Sequence, residues 1–175
     1  MLKNVIAAAG ILPWLVIASG DACQGSAGAV AALTALDYAE IQMLYGQSNI
    51  GFDSGADKGY AFARTFTTDG VLVAEGRMPI TGRADLAALA AKNASCLQTW
   101  LTNLMIEPAP EGAIGWAYIW HIELACGSRT ADARSPVTEG GIYRDVLVKS
   151  SEGWRFKRRS YTPGNQISTQ EKPPA

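Results

Sequence analysis

The chain has 175 residues, 48% of them hydrophobic and 18% charged, with a formal net charge of -1. That composition suits one folded domain with a real core, not a disordered chain. Without a basic excess, nucleic-acid binding is disfavoured, and a single histidine argues against an all-protein transition-metal site.

Residues 1–22 read as a secretory signal peptide. A basic start at Lys3 is followed by an apolar stretch from Val5 to Ile17, then by small residues at cleavage spacing. The stretch is too short for a membrane span. Export places the mature chain in a secreted or periplasmic, oxidising setting. Cys23, directly after Ala22, admits a lipid anchor as a minor alternative. Residues 23–30 are a flexible lead-in, 31–163 one domain, and 164–175 a disordered polar tail.

The spacing of Leu33, Leu36, Ile41, Leu44, Tyr45, Ile50 and Phe52 predicts a long amphipathic helix over 31–52. Asp53 follows at its C-terminal end, where the helix dipole disfavours a carboxylate. It is either a solvated turn residue or a carboxylate placed for function. A second helix is expected over 57–66, burying Tyr60, Ala63 and Phe66. A strand follows over 71–75, and a third helix over 83–94. Sheet then dominates, with strands over 99–107, 113–125, 137–149 and 154–161 and a polar loop over 127–136. Helices first and long strands last predict an α+β fold, three helices on one face of a curved, mainly antiparallel sheet.

If the first long hairpin turns at Glu111, Leu101 faces His121, Thr99 faces Glu123 and Cys96 faces Cys126. A cross-strand disulfide between the two cysteines would then stabilise by about 3–4 kcal/mol; two isolated thiols are the alternative. Alternation puts Ala113, Gly115, Ala117, Ile119 and His121 on one face of the second strand, suited to a concave wall. Ile114, Trp116, Tyr118, Trp120 and Ile122 occupy the other, suited to core or to a homodimer or homotrimer contact.

Glu40-Ile41-Gln42-Met43-Leu44-Tyr45, Phe52-Asp53, Phe66-Thr67-Thr68-Asp69-Gly70, Thr81-Gly82-Arg83, Leu101-Thr102-Asn103, Gly140-Gly141-Ile142-Tyr143 and Glu152-Gly153-Trp154-Arg155-Phe156-Lys157 follow in order. This set, across about 32–163, resembles SnoaL-like domains of the nuclear-transport-factor-two-like superfamily. The chain looks most like the branch of scytalone dehydratase, hexachlorocyclohexane dehydrochlorinase and bile-acid dehydratase. That resemblance implies a cone-shaped barrel with an apolar pocket, and a lyase that needs no cofactor. It also implies an aspartate–histidine pair, with Asp53 matching the aspartate. Where the histidine should precede Leu101-Thr102-Asn103, this chain carries Thr99, which cannot titrate usefully.

His121 is the candidate replacement; otherwise it faces outward or bonds a core group. Arg159 matches an arginine on the last strand that could hold an oxyanion. Its alternative is a solvated member of Lys157-Arg158-Arg159 paired with Asp145. Tyr45, Thr99, Leu101, Asn103 and Ile119 are the candidate ligand contacts. The expected activity is a lyase or isomerase acting on a hydrophobic small molecule, with Asp53 as general base, His121 as partner and Arg159 orienting an oxygen. A binding protein that has lost the pair is the alternative, and a partner-binding module using the aromatic sheet face is a third.

Overall fold

The computed structural model describes residues 30–93, 97–123 and 137–167. The signal segment, Cys23, the Cys96–Cys126 pairing, the loop over 127–136 and the tail from 168 lie outside them.

Helix α1 spans Ala35–Ser54. It starts where Thr34 caps it: the Thr34 hydroxyl accepts from the Asp37 backbone N–H at 3.2 Å, and the Asp37 carboxylate accepts from the Thr34 N–H at 2.9 Å. It ends at Gly55, whose left-handed backbone (φ 58°) costs a glycine little. Asp37 also accepts from Lys149 Nζ at 2.8 Å and Trp154 Nε1 at 3.0 Å, which ties the helix start to the last hairpin. The Lys149 ammonium, then Thr34 and Trp154, hold the Asp37 carboxyl well below its usual range. Thr34→Ala is expected to lower stability by about 1 kcal/mol, read by urea unfolding.

The buried face of α1 is Ile41, Leu44, Tyr45, Ser48 and Gly51, so the stripe predicted through Leu36 and Ile50 is too wide; both are largely exposed. The second helical segment is shorter than predicted. A 3-10 turn over Asp57–Gly59 leads into α2, Tyr60–Ala63. It buries Phe62 and Ala63 and leaves Tyr60 exposed, because strand β1 already begins at Phe66 and runs to Ala74. A two-residue strand β2 (Ile80–Thr81) and helix α3 (Arg83–Asn93) complete the N-terminal half.

Four long strands follow: β3 Leu97–Ala109, β4 Gly112–Glu123, β5 Val137–Ser150 and β6 Gly153–Pro163. The sheet order is β2-β1-β6-β5-β4-β3, antiparallel except that β1 and β6 are parallel. The expected α+β architecture, three helices on a six-stranded, mainly antiparallel sheet, is therefore what forms. Ile41, Leu44, Phe62, Phe66, Leu86, Leu147 and Phe156 fill the space between the layers. Gly115 on β4 is required there: a side chain would collide with the Tyr45 hydroxyl. Gly164–Gln166 forms a short 3-10 turn after β6.

The β3–β4 register differs from the predicted one. The chain reverses at Pro110 and Glu111, and a shift between Thr102 and Met105 follows, with Asn103 in left-handed conformation (φ 53°). Thr99 thus faces His121, and Leu101 faces Ile119. From Leu97 to Thr102 the offset is two residues, so these side chains keep their predicted face of the sheet; from Met105 to Ala109 it is one residue.

Candidate active site

A cavity of about 520 Å³ opens between the end of α1, α3, the β1–β2 hairpin and the inner face of the sheet. Phe52, Leu72, Met78, Ile80, Leu89 and Leu97 form its apolar side; His121, Glu139, Tyr143 and Tyr161 form its polar wall on the sheet, and Glu75, Arg77, Asn93 and Gln166 also line it. A space of this size, with apolar residues on one side and converging polar groups on the other, has the form of a small-molecule site. The polar wall comes from adjacent strands in register: His121 faces Glu139, and Tyr143 faces Tyr161.

His121 thus sits on the cavity. Its Nδ1 is 3.8 Å from Glu139 Oε2, and its ring centroid is 5.8 Å from that of Tyr161. Burial pushes the imidazole below its ordinary pKa, against the opposing pull of Glu139 and then Asp53. A neutral imidazole at neutral pH follows, and a neutral imidazole can accept a proton. As the chain's one histidine, His121 gives a single imidazole signal; its NMR midpoint is expected below the free value of 6.5. The unfolded chain then binds that proton more tightly. The His121 contribution to stability is complete above about pH 6.5 and is lost as pH falls toward the folded midpoint.

Asp53 stands beside the cavity, off its wall. Its Oδ2 accepts the Thr99 backbone N–H and its Oδ1 the Thr99 hydroxyl, each at 2.7 Å. This clamp fastens the end of α1 to the start of β3. Thr99 therefore binds the aspartate, and it is not among the cavity-lining residues.

Arg159 pairs with Asp145, as its alternative reading expects, but in the buried interior. It is 1% exposed, so it is not a solvated member of a charge run, and it does not reach the cavity. Its guanidinium donates to Asp145 through Nε at 3.1 Å and Nη2 at 2.9 Å, and to Ser48 Oγ at 3.0 Å. The rings of Tyr143 and Phe156 lie 4.1 and 4.0 Å from it. Its guanidinium is thus spent on Asp145 and Ser48 in the interior, away from the cavity. The other candidate contacts are also off the wall: Tyr45 and Ile119 are fully buried, Leu101 packs on the core, and Asn103 is exposed at the bulge.

Glu139, Tyr143 and Tyr161 are the site residues that sequence reading missed. The available signal was alternation. Glu139, Gly141, Tyr143 and Asp145 share one face of β5, and a polar, glycine-bearing face on a central strand marks a wall and not a sealed core. On the outer face, Trp100 and Trp120 pair across β3 and β4 at 57% and 45% exposure, whereas Trp116 is buried with Arg144 over its ring.

The SnoaL-like domain family matches residues 33–160, spanning the helices and nearly all of the sheet. The chain belongs to this SnoaL-like family. No curated protein matches the sequence. Among solved structures, the SnoaL-like chain is similar to an NTF2-like protein with a cystatin-like fold from Novosphingobium aromaticivorans, at 21% identity over 76% of this chain and 85% of that one (TM-score 0.65). It is similar to Aln2 from a Streptomyces species, at 21% identity over 77% and 96% (TM-score 0.65). It also resembles a protein from Catenulispora acidiphila in complex with S-DNPA, at 24% identity over 75% and 96% (TM-score 0.62). At these identities the likeness shows the fold.

Proposed function

We propose that the protein is a proton-transfer catalyst of the lyase or isomerase kind that needs no cofactor and acts on a hydrophobic small molecule in this cavity. The observation that carries the reading is the placement of His121, a neutral imidazole on the cavity wall with Glu139 beside it. Such a pair can take a proton from carbon and return it, the carboxylate stabilising the imidazolium formed in between. Asp53 is the base that the resemblance implies, but Thr99 engages both of its oxygens. In this reading His121 is the base, and Asp53 supports it through its charge. The complex of the Catenulispora protein with S-DNPA supports small-molecule uptake by this fold.

The test is hydrogen–deuterium exchange at the α-carbon of 1-tetralone in D2O, followed by NMR. Exchange faster than in buffer and dependent on His121 is the expected result. Saturable binding with exchange at the buffer rate would replace catalysis by the second reading, a binding protein. The Thr99–Asp53 clamp, at the position where the resemblance calls for histidine, favours that second reading. We also propose export, from the apolar segment between Val5 and Ile17, and subunit contact through the outer face bearing Trp100 and Trp120. No described helix is long and apolar enough to cross a membrane.

A further inference from the structure

Helix α1 turns a row of large apolar side chains toward water. Leu36, Met43 and Ile50 recur every seven residues; Leu36 and Met43 are 63% exposed and Ile50 71%. Seven residues are close to two helical turns, so the three form one ridge about 21 Å long on the outer side of the helix. The inner side is already filled by Ile41, Leu44, Tyr45 and Ser48. Beside the ridge lie two grooves of about 380 and 540 Å³. They share Met43, Leu44, Gln47 and Arg155, and so form one channel along the helix. Glu40 lines one end of that channel and Arg64 the other.

We propose that a second copy of this chain docks on this ridge and channel, α1 against antiparallel α1 about a two-fold axis near Met43. A ridge with a groove beside it is self-complementary, because one two-fold rotation lays each ridge in the other copy's groove. In that arrangement Met43 meets Met43, and Leu36 meets Ile50. Each Glu40 then moves toward Arg64 of the second copy, so the charged ends of the channel are complementary. Parallel helices would instead set Glu40 beside Glu40 and align the two helix dipoles unfavourably. Gly46 also lines the channel, and a Cβ there would meet nothing within 4 Å, so the second helix can approach closely. A lipid surface fits this face less well. A helix lying in a membrane interface is rich in Lys and Arg on its polar face, whereas α1 carries Asp37, Glu40 and Asp53 and no basic residue. The contact is distinct from the outer sheet face bearing Trp100 and Trp120, because α1 packs on the opposite face of the sheet.

The test is disulfide trapping in the full chain, alongside sedimentation equilibrium. Met43→Cys lies on the axis and is expected to link two copies on mild oxidation, the joined peptides being identified by mass spectrometry. Gln42→Cys, exposed but turned off the ridge, is the control and is expected to link far less. In sedimentation the wild-type protein is expected to self-associate. Met43→Glu is expected to weaken one association step about tenfold or more, because two carboxylates then face each other across the axis. Met43 is exposed, so these changes leave the core untouched, and circular dichroism checks the fold. Linkage through Met43→Cys no greater than through Gln42→Cys overturns the proposal. A wild-type protein that stays monomeric also overturns it, and this arm needs no variant. So does self-association that Met43→Glu leaves unchanged. A monomer that instead binds phosphatidylglycerol vesicles, and loses that binding in Met43→Glu, replaces the second copy by a lipid surface.

Discussion

Asp145→Ala is expected to destabilise the protein by about 3–5 kcal/mol in urea unfolding, the range for a buried ion pair broken from one side. Asp145 is fully buried and Arg159 is 1% exposed. Removing the carboxylate strands a guanidinium that cannot shed its proton. Ser48 and the flanking rings remain, but none supplies a negative charge. Arg159→Met should cost less, because the carboxyl left behind can neutralise itself by taking up a proton. Its penalty should shrink as pH falls, whereas the Asp145→Ala penalty should not. The double variant Asp145→Ala/Arg159→Met should recover much of the loss, because no uncompensated charge remains. If Asp145→Ala lost less than about 1 kcal/mol, the pair would be behaving as a surface salt bridge and the buried assignment would fail.

His121→Gln is expected to slow α-proton exchange by about 10²–10⁴-fold, the usual worth of a positioned base, with 1-tetralone binding little changed. In the wild-type protein the rate should rise with pH through the His121 midpoint, below 6.5, and level off near neutrality, because the neutral imidazole is the active form. Glu139 raises that midpoint, second to the larger effect of burial. Glu139→Gln should therefore move the rising limb to lower pH and reduce the plateau, since the imidazolium loses its nearest carboxylate. A limb that stays in place would show that Glu139 does not face the imidazole in solution.

Much of the fold was legible in local pattern. The apolar spacing through Ile41, Leu44 and Tyr45 and the alternation along β4 each encode structure within a few residues. These signals suffice for three helical segments followed by a meander of long strands. The identity of the faces of β4 was legible too, because a two-residue error in register leaves them unchanged. His121 was placed on the concave face for that reason.

What sequence alone could not decide lay where one extra residue changes the parity of a strand. Simple alternation from the buried Phe156 would turn Arg158 inward and Arg159 out. A bulge opposite Val146 and Leu147 leaves Lys157 unpaired. Both Lys157 and Arg158 then face solvent, and Arg159 turns in to meet Asp145. The β4–β5 register runs unbroken from Ala113 and Leu147 to His121 and Glu139, and this long-range pairing sets Glu139 against the imidazole. The partners of Asp53 and His121 were equally hidden. Thr99 lies forty-six positions from Asp53, and no local rule names a contact at that range. By itself, the sequence determined the order of helices and strands and the faces of β4, because these depend on periodicity. Tertiary structure decided that Glu139 meets His121, that Asp53 meets Thr99 and that the Arg159–Asp145 pair is buried, because these depend on strand register, on bulges, and on the packing that brings distant strands together.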